Sequence, residues 1–146
     1  MSDDGGQSGG HAPGDLVDGR WELAEKLGKG GQATTWRAVD LESGSGQEVA
    51  VKTMALRAGS DWQSAELFER SAEVLEGLDH PQVPTHFDAF HTEDPDAGLI
   101  RYYLVREFVA GEDFETLLET EGAMGVDSAR ILLEEMLALL DYLHGL

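Results

Sequence analysis

No cysteine occurs among the 146 residues, which excludes disulfides, thiolate metal sites and cysteine nucleophiles and leaves the redox compartment open. Basic side chains are scarce as well, 10 against 29 acidic ones, for a formal net charge of -19. Such a surface repels phosphate backbones and anionic headgroups, so neither nucleic acid nor a membrane is expected as a partner. The excess suits concentrated salt or plain colloidal solubility, and no function follows from it. No apolar stretch approaches the roughly 18 residues a membrane span requires. The opening residues, MSDDGGQSGGHAPGD, have neither a basic start nor an apolar run, so a cytoplasmic location is expected. What the chain does have is 41% hydrophobic content, enough for one domain with a core.

Residues 1–19 are Gly, Ser and Asp with few apolar side chains, and such a composition predicts a disordered acidic tail. From Arg20 three segments have strand character, RWELAEKL, ATTWRAVD and QEVAVKTM. The breaks between them, Gly28 to Gln32 and Ser43 to Gly46, are too short for a crossover helix, so two antiparallel hairpins are expected. WQSAELFERSAEVLEGL has helical period and ends at Gly77. Two more strands are predicted near Val83 to His91 and Ile100 to Val109, then a short helix with Phe114, Leu117 and Leu118 on one side. A long helix over Asp127 to Leu143 carries a wide stripe of Leu132, Leu133, Met136, Leu137, Leu140 and Leu143. The earlier elements offer too little surface to cover that stripe, so the fold is expected to be unfinished at Leu146.

A glycine cluster such as Gly28-Lys29-Gly30-Gly31 is most often only a tight turn. Its context narrows the choice. A dinucleotide fingerprint needs a helix directly after the glycines, whereas Thr34, Thr35 and Trp36 favour a strand. A Walker loop needs Ser or Thr after Gly-Lys, and Lys29 is followed by Gly30. What remains is a flap between antiparallel strands whose bare N–H groups can close over the phosphates of a nucleotide. In Val49-Ala50-Val51-Lys52, alternation puts Ala50 and Lys52 on one face, a small residue with room for a purine beside a cation in reach of phosphate. A lysine that merely snorkels from a strand end is the plainer reading of Lys52 alone.

From Arg20 to the last residue the order of motifs resembles the protein kinase family, of the bacterial eukaryotic-like serine/threonine type. Leu27-Gly28-Lys29-Gly30-Gly31-Gln32-Ala33 looks like the glycine-rich loop, VAVK at 49–52 like the ATP-lysine strand, and Leu78-Asp79-His80-Pro81 like the segment after the regulatory helix. Leu104 to Gly111 resembles the hinge, and Tyr142 to Leu146 the helix end ahead of the catalytic loop. The resemblance implies an α+β fold: a kinase N-lobe at 20–110, with a five-stranded antiparallel sheet and a regulatory helix, then the hinge exit and first helices of a truncated C-lobe at 111–146. It implies ATP as ligand. The Glu107 carbonyl and Val109 backbone would meet the adenine edge, with Leu27, Thr35 and Ala50 on its faces, Ala33 in the loop, and Asp113 at the ribose. Leu27 and Val109 would serve any core, and Asp113 would equally favour a helix start.

The same resemblance implies phosphoryl transfer from ATP to protein hydroxyls by the parent protein. The catalytic loop, the Mg2+ ligands and the rest of the C-lobe are expected downstream of Leu146, so the chain alone is expected to be inactive. Two departures weaken the catalytic reading and favour a pseudokinase or nucleotide-binding scaffold. The regulatory helix should offer a glutamate to Lys52 ten residues before Pro81, and that position is Ser71. On a helical wheel Leu67, Phe68, Val74, Leu75 and Leu78 surround it, so Ser71 is expected to point inward and Glu66, Glu69, Glu73 and Glu76 outward. Arg106 stands where the family predicts an uncharged gatekeeper, either as a second cation near Lys52 or snorkelling to solvent. His80, His86 and His91 lack metal-ligand spacing; His80 is expected to make a structural hydrogen bond at its turn.

Overall fold

The computed structural model describes residues 10–30, 33–59 and 61–146. Six antiparallel strands form one sheet, in the order β1-β2-β3-β4-β6-β5. They are β1 (Leu16–Val17), β2 (Trp21–Gly30), β3 (Ala33–Asp40), β4 (Gln47–Arg57), β5 (His86–Asp94) and β6 (Leu99–Glu107), with helix α1 (Trp62–Glu76) between β4 and β5. Helices α2 (Phe114–Glu121) and α3 (Val126–His144) follow. The chain divides into two compact units, one ending at Leu78 and taking in Pro84–Phe108, the other made of Asp79–Val83 and Val109–Leu146.

Period-2 alternation builds the core of the first unit. Trp21 and Leu23 of β2, Trp36 and Ala38 of β3, Val49 and Val51 of β4, and Tyr103 and Val105 of β6 meet on one face of the sheet. Trp21, Leu23, Val49, Val51 and Val105 are fully buried. Each such aliphatic side chain contributes on the order of 1.5–3 kcal/mol relative to exposure. Phe90 of β5 stacks on Tyr103 at 4.8 Å between ring centroids.

Two expectations for the amino-terminal part change. The sheet has six strands rather than five, and the tail predicted up to Gly19 is folded from residue 10 onward; residues 1–9 lie outside the described part. Asp18 (φ 52°) and Gly19 (φ 66°) both adopt the left-handed conformation, the pair a type I′ turn needs, and Arg20 N–H closes onto the Val17 carbonyl at 3.1 Å. This hairpin brings Val17 into the core at 4% exposure. Further back, the Asp15 carboxylate, which can only accept, lies 3.3 Å from His11 Nδ1, which donates to it, and His11 Nε2 hydrogen-bonds the Tyr103 hydroxyl at 3.0 Å. The segment is therefore tied down at both ends.

The Ser43–Gly46 turn is organised by Asp40, buried at 4% exposure. It accepts a bidentate pair from Arg20 Nε and Nη2 at 2.8 and 2.7 Å and the Glu42 N–H at 3.0 Å. Arg20 also covers the Trp21 ring, its guanidinium carbon 4.1 Å from the centroid. The Arg20 hydrogen bonds hold the Asp40 carboxyl below the usual carboxylate range, against the opposing effect of burial.

In the second unit, Asp113 caps α2 by accepting the Thr116 N–H at 2.8 Å, and that backbone bond lowers its pKa. Tyr142 of α3 accepts the Asp79 N–H at 2.9 Å and packs its ring against His80. His80 Nδ1 accepts the Gln82 N–H at 3.2 Å, the turn hydrogen bond expected of it. Neither helix of this unit buries a residue, and Leu133, Met136, Leu137 and Leu140 of the apolar stripe stay exposed. Among the described residues no helix is long and apolar enough to cross a membrane.

Two outcomes test this account. Because folding lowers the Asp40 pKa, its stabilisation is fully present above the unfolded value of about 3.9 and is lost as pH falls through the lower folded value. Urea denaturation as a function of pH should thus show a flatter acid limb for Asp40→Asn than for the parent chain. At the amino-terminal tie, His11→Ala leaves the buried Tyr103 hydroxyl without its partner and should cost about 1–3 kcal/mol. Adding Tyr103→Phe should restore part of that loss, since no hydroxyl is then left unmade.

Candidate functional site

On β4, Ala50 and Lys52 share the face opposite the core, as alternation requires once Val49 and Val51 are buried. Thr35 is in register with Lys52, and Gly28 with Thr35, so the glycine-rich end of β2 lies one strand beyond. Leu27 falls between the pairs Lys26↔Trp36 and Gly28↔Thr35, the extra residue of a bulge, and is 45% exposed. The strands run further than expected: β2 continues through Lys29 to Gly30, which pairs with Ala33. Gly31 and Gln32, predicted within the loop, lie outside the described residues.

The glycines at 28 and 30 are informative because packing does not explain them. Neither has a positive φ, and a Cβ built on either meets nothing within 4 Å. Among the described residues nothing crowds this part of β2.

A cavity of about 390 Å³ opens behind the glycines, between the sheet and α1, and Gly30, Ala33, Lys52, Leu104, Phe68 and Ser71 all line it. Ser71 is thus on the Lys52 side of the helix, but it is exposed rather than inward, and its hydroxyl donates to the Leu67 carbonyl of its own helix at 2.7 Å. The buried point of α1 is Ala72, one residue or roughly 100° of rotation from the expected centre. Leu67 and Val74 consequently remain 67% and 57% exposed. Phe68 packs on the Tyr102 ring at 5.3 Å, and small Ala72 lets the helix approach the sheet. Glu66, Glu69, Glu73 and Glu76 are exposed, as expected, and Glu69, Glu73 and Glu76 line a second groove with His86 and His91 of β5. Burial pushes the Tyr102 phenol at this groove above its ordinary value, with Glu69 and Glu93 adding to the shift.

Charge is unevenly paired on the Lys52 face. Arg37, in register with Ala50, is held by Glu25 and Glu48, both at 3.1 Å. Arg106 is paired with Ala50 on the other side, a diagonal neighbour of Lys52, roughly 7–8 Å away along the backbone, and is exposed. Among the described residues neither Lys52 nor Arg106 forms an ion pair. Glu107, at the end of β6, donates its N–H to the Thr85 carbonyl at 2.8 Å, and its carboxylate accepts the Thr85 N–H at 3.1 Å. Val109 and Asp113 belong to the second unit, where Val109 is exposed and Asp113 is the α2 cap.

The sequence reading missed Met54, Leu104 and Ser64 as lining residues of the cavity. The signals were available: Met54 has the parity of Lys52 on its strand, and Ser64, Leu67, Phe68 and Ser71 follow i, i+3, i+4, i+7 spacing. Among the described residues no cluster of three or more His, Cys, Asp or Glu side chains is arranged to hold a metal ion.

Known proteins fit this arrangement. The protein kinase domain family matches residues 21–146. The serine/threonine-protein kinase PksC of Streptomyces coelicolor is 34% identical over 148 residues, covering 99% of this chain and 26% of the relative. Serine/threonine-protein kinase B of Synechocystis is 33% identical over 135 residues, covering 88% and 22%, and PknA of Corynebacterium glutamicum 30% over 130 residues, covering 89% and 27%. The chain spans about a quarter of the length of these curated relatives. A family match over nearly its whole length, together with relatives of 34% and 33% identity, makes this chain a member of the protein kinase family, alongside bacterial eukaryotic-like serine/threonine kinases.

Proposed function

We propose that this chain is the ATP-binding portion of a serine/threonine protein kinase, whose parent protein moves the γ-phosphoryl group of ATP to protein hydroxyls. The observation that carries the reading is a Lys52 with no ion pair among the described residues, sharing a sheet face with small Ala50, beside glycines whose bare backbone no described neighbour requires. In this reading Leu27, Thr35 and Ala50 flank the adenine. The Glu107 carbonyl and Val109 backbone take its edge, and Asp113 serves the ribose in addition to capping its helix. The backbone of Gly28, Lys29, Gly30, Gly31 and Ala33 lies over the phosphates, and Lys52 binds their oxygens. Bound Mg2+ would neutralise charge on the triphosphate, and no ligand for it is assigned within the chain. ATP as donor fits a cytoplasmic location.

Ser71 favours a second reading, a nucleotide-binding scaffold with impaired or absent catalysis. Among the described residues no carboxylate is paired with Lys52, and position 71 of α1 offers only a hydroxyl already committed to its own backbone. In the full-length parent, Ser71→Glu should raise the phosphorylation rate of an impaired kinase and leave a scaffold inactive.

Isothermal titration with Mg-ATP checks the nucleotide site. The chain should bind, and Lys52→Ala should weaken binding at least about tenfold by removing a charge-assisted contact. Gly28→Ala and Gly30→Ala should change folding stability by less than about 1 kcal/mol in urea, because no strained conformation or neighbour is involved, yet weaken ATP binding. Absence of ATP binding by the parent chain, or equal affinity for Lys52→Ala, rules the reading out.

A further inference from the structure

Where a glutamate would fill the space between α1 and Lys52, Ser71 leaves the cavity of about 390 Å³ with one unpaired cation at its side. That volume lies within the range of about 300–1,000 Å³ common for small-molecule sites. Apart from Ser64, its other side-chain walls are apolar: Met54 and Leu104 from the sheet, Leu67 and Phe68 from the helix. Leu67 is 67% exposed there, apolar surface that nothing in the described chain covers. Among the described residues no carboxylate of α1 is paired with Lys52, and Glu69, Glu73 and Glu76 line the other groove.

We infer that this cavity is a binding site for a small amphipathic carboxylate, a ligand with an aryl or short alkyl body and one acid group. The body would lie against Met54, Leu67, Phe68 and Leu104, removing Leu67 from water. The acid would accept from the Lys52 ammonium and supply from outside the negative charge that position 71 lacks. A neutral apolar ligand would leave Lys52 unpaired. A polyanion would gain nothing from the walls, and the Ser71 hydroxyl proton is already given to Leu67. The site needs only the cavity and a free Lys52, so it does not depend on nucleotide binding; an acid seated there would withdraw the lysine from any anion held in front of β4.

The test uses 4-phenylbutyrate and its neutral counterpart 4-phenylbutan-1-ol, titrated into the chain carrying ¹³C-methyl methionine. The Met54 methyl should shift saturably with the acid, while Met124 and Met136 stay in place. The alcohol should bind about tenfold more weakly, the value of one charge-assisted hydrogen bond. Lys52→Met should make acid and alcohol equally weak, and Ser71→Glu, which puts the carboxylate on the helix, should abolish the Met54 shift with acid. Equal affinity for acid and alcohol in the parent chain overturns the proposal without needing any variant to fold. So does a shift at Met136 as large as at Met54, which would mean unselective adsorption to exposed apolar surface. ATP binding without any Met54 response to the acid would sink this inference while sparing the nucleotide reading, and the converse result would do the opposite.

Discussion

Val49 and Val51 lie completely buried among Trp21, Leu23, Trp36 and Val105, and this packing fixes what β4 presents on its other side. Side chains alternate, so a one-residue slip would carry Lys52 into an aromatic core and turn the two valines out. Losing two buried valines costs on the order of 3–6 kcal/mol, and burying an unpaired ammonium costs still more. The register therefore has one solution. Through it, Ala50 meets Arg37 on one neighbour and Arg106 on the other, and Lys52 meets Thr35 and Leu104. The amino-terminal hairpin reinforces the same choice, since Val17 closes the core and His11 anchors to the buried Tyr103 hydroxyl of β6.

The charge distribution gives that register its chemical meaning. In a chain of net charge -19, most arrangements would leave each cation close to a carboxylate. Arg20 is indeed taken by Asp40 and Arg37 by Glu25 and Glu48. Lys52, like Lys26, Lys29, Arg70, Arg101 and Arg106, forms no ion pair among the described residues, and its register partners on the sheet are Thr35 and Leu104, neither of them acidic. At physiological salt the screening length is about 8 Å, so the many distant carboxylates of the surface do little to cancel Lys52 and Arg106, two cations this close together.

Much of this was legible in the sequence, and the exceptions have physical causes. Period-2 alternation placed Ala50 and Lys52 correctly, because a half-buried strand enforces its parity. Composition misled at the amino terminus: a Gly- and Ser-rich stretch suggested a tail, whereas Asp18-Gly19 is a strong type I′ signal and Val17 the one apolar residue needed to use it. His11 and Tyr103 are 92 positions apart, so no local pattern could pair them. The bulge that exposes Leu27 is likewise a property of two strands together. On α1 the wheel weighted large apolar residues, while close approach of a helix to a sheet selects a small one, Ala72. That difference of one position left Ser71 exposed beside the buried face rather than at its centre.

The same rotation bears on how firmly α1 is held. A helix tied to the sheet by a lysine–glutamate pair has an electrostatic anchor on the Lys52 side. Here that side has only Ser71, bonded within the helix. What fastens α1 is Ala72 at 9% exposure and the Phe68–Tyr102 contact, both toward β5 and β6. Its amino terminus has no side-chain cap and no acidic residue in the first turn, and its last turn has no base, so local terms add little. A 15-residue helix is marginal without packing, and one buried alanine with one aromatic contact is a narrow hold. The position of α1 over Lys52 is thus set from one side only, and whatever occupies the cavity between them acts directly on a helix held by little packing of its own.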